Sequence, residues 1–231
     1  IPILKSIEAL FGAHPDVSRK EFSDFAKIEI ASTTGIQALE WIPRITSNQK
    51  SNYIKKAKEN GFDDFDIREI GGDGTLLSVR DRKEYYPVFF VEPVKGNEAV
   101  LGFDMASNPA RLKALETARD TGQEVVTAKV SLVQETGIHS GILLFMPIYN
   151  GLPAIPAVDD RREKIIGFTL GVFRIGDIIE SKLTSLAVAD DLNIFLIDEG
   201  NTADPYLYPN SVDKLANDNK IMSVSDLLGK T

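Results

Sequence analysis

Apolar positions in this chain come in short runs between glycine, proline and charged breaks, and their spacing alternates between helical and strand-like. From Asp16 onward, Phe22, Phe25, Ile28, Ile36 and Leu39 recur at helical spacing. That predicts one long helix, capped by Asp16, which continues past Trp41 until Pro43 interrupts it. A second helix is expected over residues 47–58 and stops at Asn60-Gly61. Residues 65–70 then alternate apolar and polar, and residues 76–79 form the natural return strand, so Gly72, Asp73 and Gly74 between them read as a hairpin turn. Residues 86–91 are a dense aromatic and β-branched run closed by Glu92-Pro93, as expected of a buried strand.

Downstream, Asn108 is placed to cap a helix that starts at Pro109, with Leu112, Leu115 and Ala118 on one face and Gly122 at its stop. Two further apolar strands are expected over residues 125–133 and 142–148, separated by a polar loop around Gly137 and His139. Residues 150–156 read as a turn-rich connector and residues 159–164 as a solvated charged loop between two halves. A strand at 165–173, a helix at 176–186 and a strand at 193–197 follow, the last ending in the turn 198–201. Strand, helix and strand recur in both halves, which is an α+β pattern.

At 231 residues and 43% hydrophobic content the chain can build one large domain or two small ones. It has no cysteine, which excludes a disulfide or thiolate-zinc scaffold. Its net charge of −8, without a basic stripe, argues against a nucleic-acid partner. No apolar stretch approaches the roughly 18 residues of a membrane span. The chain is expected to be a segment of a longer protein, with membrane anchors on both sides of it.

One set of residues carries a resemblance. Pro87, Val88, Glu92, Pro93, Gly102-Phe103-Asp104-Met105, Asn108-Pro109-Ala110-Arg111, Ala118, Arg119, Gly122, Thr127, Leu132, Gln134, Gly141 and Pro147-Ile148-Tyr149 together resemble the CHASE domain. The stretches Gly35 to Pro43 and Gly167 to Phe173 match further parts of that family's pattern. CHASE domains are outward-facing input modules of transmembrane histidine kinases and cyclases, plant cytokinin receptors among them. The resemblance implies a long N-terminal helix followed by two tandem PAS-like domains with antiparallel sheets. On that plan residues 1–61 form a helical stalk, 62–155 a membrane-distal ligand-binding domain and 156–231 a membrane-proximal one.

The candidate site follows from both readings. Arg111 falls at the third position of its expected helix, where it is either a surface residue or strut, or an inward guanidinium that binds a ligand carboxylate. Asp104 either faces the ligand or makes an Asx-type turn between strand and helix. Met105 adjoins it, and the resemblance places Thr127, Leu132, Gln134, Leu143 and Phe145 on strands of the distal pocket, where alternation lets about half face inward.

The rival string is Gly71-Gly72-Asp73-Gly74-Thr75, which resembles the nucleotide-handling motif of NAD and lipid kinases. It lacks the apolar parallel strand that such a motif follows, so the hairpin is preferred. His14 and His139 are far apart and outside any metal-ligand spacing, and no nucleophile motif is present, so neither metal nor catalytic residues are expected. The expectation is a non-enzymatic, cofactor-free sensor of a bacterial transmembrane signalling receptor of histidine-kinase (two-component) or diguanylate-cyclase type, periplasmic or extracellular, binding a small and preferably anionic molecule. It would be a homodimer through the apolar surplus of its first helix. A nucleotide-binding kinase and a ligand-free dimerisation module are the alternatives.

Overall fold

The computed structural model describes residues 2–14, 16–33, 35–72, 74–127, 130–131, 140–151, 157–185, 195–197 and 206–208. Helix α1 (Pro2–Ala13) turns Ile3, Leu4, Ile7 and Phe11 inward along one stripe. Helix α2 (Arg19–Ser32) starts at a capping box: Ser18 Oγ accepts from the Glu21 amide while the Glu21 carboxylate accepts from the Ser18 amide at 2.8 Å. Ser18, with a glutamate three residues on, is therefore the cap in place of Asp16.

The expected single helix from Asp16 through Trp41 does not form. α2 ends at Ser32, Thr33 is extended, Gly35 takes φ +83°, and the chain continues as strand β1 (Ile36–Pro43). Two β-branched threonines followed by glycine favour that break. Ile28, expected on the apolar stripe, is 71% exposed, while Phe22 and Ala26 are buried.

Strand β2 (Ile45–Thr46) and a 3-10 turn lead into helix α3 (Lys50–Glu59), which stops at Asn60-Gly61 as the sequence predicts. Strands β3 (Arg68–Ile70) and β4 (Leu76–Ser78) pair antiparallel around a tight turn closed by Gly71 N–H donating to Thr75 O at 2.8 Å. Strand β5 (Glu84–Tyr85) pairs β2, and β6 (Phe90–Glu92) occupies the end of the run closed by Pro93. Helix α4 (Pro109–Thr121) has the caps read from sequence. Asn108 Oδ1 accepts from the Ala110 and Arg111 amides at 3.0 and 3.1 Å, and Gly122 ends the helix at φ +71°.

After α4 come β7 (Val125–Val126), β8 (Val130–Ser131) and the long β9 (Ser140–Tyr149). The charged run that sequence reads as a loop is instead helix α5 (Val158–Lys164), with acidic residues in its first turn and basic ones in its last. Strand β10 (Ile165–Arg174), helix α6 (Ile175–Ser185) and a ribbon of β11 (Leu196–Ile197) with β12 (Tyr206–Tyr208) complete the described elements.

The main sheet is antiparallel, six-stranded and ordered β6-β1-β10-β9-β7, with β8 also on β9. β10 lies at its centre, between β1 and β9. The protein is thus α+β, but the described residues form one main sheet fed by strands from all three expected segments, with the small β11–β12 ribbon apart from it. They do not form two PAS-like sheets in series on a long helix. A strand separated from β1 by residues 44–164 can still take the central slot, because β9 and β10 are sequential antiparallel neighbours and β1 adds to the free edge of β10.

Alternation divides this sheet into two faces. On the back, Leu39, Trp41, Leu144, Met146, Ile148 and Phe173 pack with α1 and α2, and the rings of Phe11 and Trp41 stack at 4.0 Å. On the front, Ala38, Ile42, Val91, Leu143, Phe145, Phe168, Leu170 and Val172 pack with Ala114, Leu115 and Ala118 of α4. Gly102, ahead of α4, takes φ +79°, and a Cβ there would lie 1.9 Å from Asp66 O, so the position admits only glycine.

Candidate functional site

Two charged side chains are buried on the front face. Arg111 lies one turn before Ala114 and Leu115, so the register that packs α4 on the sheet also points its guanidinium inward. Its guanidinium carbon sits 4.9 Å over the Phe103 ring, and the residue is only 5% exposed. Glu40 is fully buried in the middle of β1, between Ala38 and Ile42 on the front face and opposite Val91 and Leu170 on the neighbouring strands.

The two feel each other electrostatically. Burial pushes the Glu40 carboxyl up to about 8, with Arg111 pulling the other way. Burial also lowers Arg111, and Glu40 opposes that shift. Two ionisable side chains whose protonation is shifted by burial inside an apolar wall are a candidate functional feature. What it offers chemically is an anion-binding guanidinium beside a carboxyl that is neutral near pH 7.

The other expected site residues divide into three groups. Leu143 and Phe145 point to the front face with Arg111, and Met105 is buried in the same core. The polar atoms of Asp104 and Thr127 are engaged by the chain itself. Asp104 Oδ1 accepts from the Tyr86 amide at 2.8 Å and the Ala106 amide at 3.2 Å, and its Oδ2 accepts from Arg82 Nη1 at 2.8 Å. That is the Asx-type arrangement, and the same Arg82 also holds Glu69. Burial still raises the Asp104 carboxyl above its ordinary value, against the lowering effect of these donors. Thr127 Oγ1 accepts from the Leu143 amide at 3.1 Å where β7 leaves β9. Leu132 and Gln134 lie outside the described residues.

Sequence reasoning misses Glu40. A signal was present: once 36–43 is read as a strand, Glu40 is the lone acid on an otherwise apolar face.

A second place on the surface is a cleft of about 360 Å³ along the flank of α4, lined in part by Arg82, Glu84, Tyr86, Leu112 and Arg119. Its charges are largely committed: Glu84 pairs with Arg44 and accepts from the Tyr86 hydroxyl, and Arg119 pairs with Asp120. The Gly-rich string at 71–75 sits on the exposed β3–β4 hairpin, with Gly74 at φ +84°, and Asp73 lies outside the described residues. A parallel strand leading into a helix, which a phosphate-binding loop requires, is not what surrounds it. Among the described residues, no three His, Asp or Glu side chains converge as metal ligands, and no helix is long and apolar enough to cross a membrane.

The described residues thus place a buried guanidinium and a buried carboxyl on the apolar front of an antiparallel sheet covered by α4. The match to the CHASE domain family runs over residues 15–208, and the chain belongs to that family of histidine-kinase sensor domains. It is 24% identical over 213 residues to hybrid signal transduction histidine kinase A of Dictyostelium discoideum, covering 87% of this chain and 10% of that protein. It is 28% identical over 139 residues to probable histidine kinase 3 of Oryza sativa subsp. japonica, covering 59% of this chain and 13% of that protein. Histidine kinase 3 of Arabidopsis thaliana is 28% identical over 125 residues, covering 54% of this chain and 12% of that protein. The chain thus spans about a tenth of the length of these relatives. None of the three is bacterial, so they lend no support to a bacterial source.

Proposed function

We propose that this domain is the extracytoplasmic sensor of a membrane-bound histidine kinase and binds a small molecule with an anionic group between α4 and the front of the sheet. The observation that carries this reading is the buried guanidinium of Arg111 on α4, 4.9 Å over the Phe103 ring, which belongs to the apolar core of the sheet front, and within electrostatic reach of Glu40. A carboxylate would take a charge-assisted bond from Arg111 while its apolar body is buried against the phenylalanines. Kinase chemistry would belong to other parts of the receptor, and dimerisation would be supplied in the whole receptor by its membrane-bound setting.

The back of the same sheet would carry the output. Leu143 and Phe145 face the ligand side, while Leu144 and Met146 of the same strand pack in the core that holds α1. A shift of β9 on binding is therefore felt at α1.

A thermal-shift screen of small carboxylates, followed by calorimetry on the best hit, tests the reading. Arg111→Gln should weaken that hit ten- to a hundredfold, the loss of a charged hydrogen bond of roughly 1.5–3 kcal/mol. An affinity unchanged by Arg111→Gln would remove the site from this position.

A further inference from the structure

The cleft along the flank of α4 does not include Arg111 or Glu40 among its lining residues. We propose that it is a second binding site, for a zwitterion with an apolar body, of which an apolar α-amino acid is the simplest case. Lys83 receives the carboxylate and Glu116 the ammonium group.

One wall is α4. Leu112, Leu115, Glu116 and Arg119 lie at i, i+3, i+4 and i+7, so they form a single stripe of the helix, next to the stripe of Arg111, Ala114 and Ala118. The facing wall is the segment that holds Arg82, Lys83 and Glu84, and the floor is apolar. Tyr86, Leu115 and Phe168 are all buried there in the front core, and the Tyr86 and Phe168 rings meet edge to face at 5.7 Å. A space of about 360 Å³ is of the size that small-molecule sites have.

The charges at the mouth say which molecule fits. Three of them are held by the protein: Arg82 bridges Asp104 and Glu69, Glu84 pairs with Arg44 and accepts from the Tyr86 hydroxyl, and Arg119 pairs with Asp120. Lys83 and Glu116 differ. Among the described residues, the Lys83 ammonium and the Glu116 carboxylate make neither an ion pair nor a side-chain hydrogen bond, and Glu116 senses Arg119 and Arg162 without pairing with either. A simple anion would suit Lys83 and meet Glu84 and Glu116, and a simple cation would suit Glu116 and meet three cations. A molecule with both charges complements the two side chains that the fold leaves over and adds no net charge to the mouth. Its apolar body covers the floor and the half-buried Leu112. Occupancy would tie the segment 82–86 to α4, which Arg82 and Asp104 already join ahead of the helix.

L-Phenylalanine, hydrocinnamate and phenethylamine share a phenyl body, and the last two lack the ammonium and the carboxylate respectively. Each would be titrated into this chain at low ionic strength and followed by backbone amide NMR, with L-leucine as a second zwitterion of smaller body. Phenylalanine should bind at about millimolar affinity or tighter, as expected of roughly a dozen non-hydrogen atoms, and should shift the amides of residues 82–86 and 112–119. It should exceed each singly charged analogue about two- to fivefold, the range of an exposed ion pair. Lys83 and Glu116 are exposed, so their replacement leaves the fold in place. Lys83→Gln should erase the advantage over phenethylamine alone, and Glu116→Gln the advantage over hydrocinnamate alone. Arg111→Gln should change none of these titrations.

If neither phenylalanine nor leucine shifts these amides at about 20 mM, the site is overturned. Equal affinity for phenylalanine and its two analogues overturns the charge assignment. Binding that is lost in Arg111→Gln but survives both Lys83→Gln and Glu116→Gln overturns the cleft and supports the site at Arg111, so the two readings fail separately.

Discussion

Glu40→Gln should stabilise the protein at neutral and alkaline pH while leaving it nearly unchanged in acid. In the folded state burial holds the carboxyl at about 8, against an ordinary value of 4.5. Below 4.5 both folded and unfolded chains carry the proton, and glutamine and glutamic acid are close to equivalent there. Between 4.5 and about 8 the unfolded chain has lost its proton while the folded one keeps it, so wild-type stability falls as pH rises. Above about 8 the folded chain carries an ionised Glu40 and the decline stops. The window is about 3.5 pH units wide (about 8 less 4.5), and at ~1.4 kcal/mol per unit the full effect approaches roughly 5 kcal/mol. Relaxation and water entry around a buried charge make that a ceiling, and a measured 2–4 kcal/mol (roughly) is the working expectation. Urea unfolding of both proteins from about pH 4 to about pH 8.5 gives the difference directly. Asp104 is also raised by burial, but it is present in both proteins and cancels in the comparison. Two stability curves that run parallel across the whole range would show that Glu40 ionises like a surface glutamate, and the account of the front face would fail.

Two other variants test the frame around the site. Gly102→Ala should cost about 2 kcal/mol or more, because its Cβ meets Asp66 O at 1.9 Å in a backbone at φ +79°; thermal unfolding within about half a kcal/mol of wild type would show that this close approach yields easily. Arg82→Met removes the cation shared by Asp104 and Glu69 and should cost about 3 kcal/mol near neutral pH. Because Asp104 can then be neutralised by protonation, that deficit should shrink on acidification, and a deficit that grows in acid would contradict the assignment.

Local chemistry explains what was legible in the sequence. Asn108, Pro109 and Gly122 mark both ends of α4 within the segment itself, and the alternation around residues 71–75 fixes a hairpin whatever the rest of the fold does. β1 misleads for the opposite reason. It is buried on both faces, so Leu39 and Trp41 are as apolar as Ala38 and Ile42, and the period of two that announces a half-exposed strand is absent. With that period gone, Ile36 and Leu39 extend the helical spacing of α2, and a long helix is the natural but mistaken reading. Helix α1 carries the same kind of signal, with Ile3, Leu4, Ile7 and Phe11 at helical spacing, and a reading that starts at Asp16 passes over it. Arg111 is readable as a candidate from its place at the helix start. Its relation to Glu40 is not, since it depends on β1 joining the sheet that α4 covers, a contact between distant segments that no local signal encodes.

The misread strand is also the one that joins the two halves of the proposed mechanism. Glu40 faces the front, and its immediate neighbours Leu39 and Trp41 face the back, where Trp41 stacks on Phe11 of α1 and the Phe89 amide donates to the Trp41 carbonyl at 2.9 Å. An extended strand has no slack between adjacent residues: successive side chains point to opposite faces from one rigid backbone. A change in how Glu40 is held, by proton or by ligand, therefore acts on the same few backbone atoms that position the Phe11–Trp41 stack. Close-packed interiors respond to such a displacement by repacking rather than by compression, and α1, with four buried side chains against this core, is the element placed to move. On the proposed reading, the buried Glu40 would thus sit where a small front-face event has the shortest path to the back.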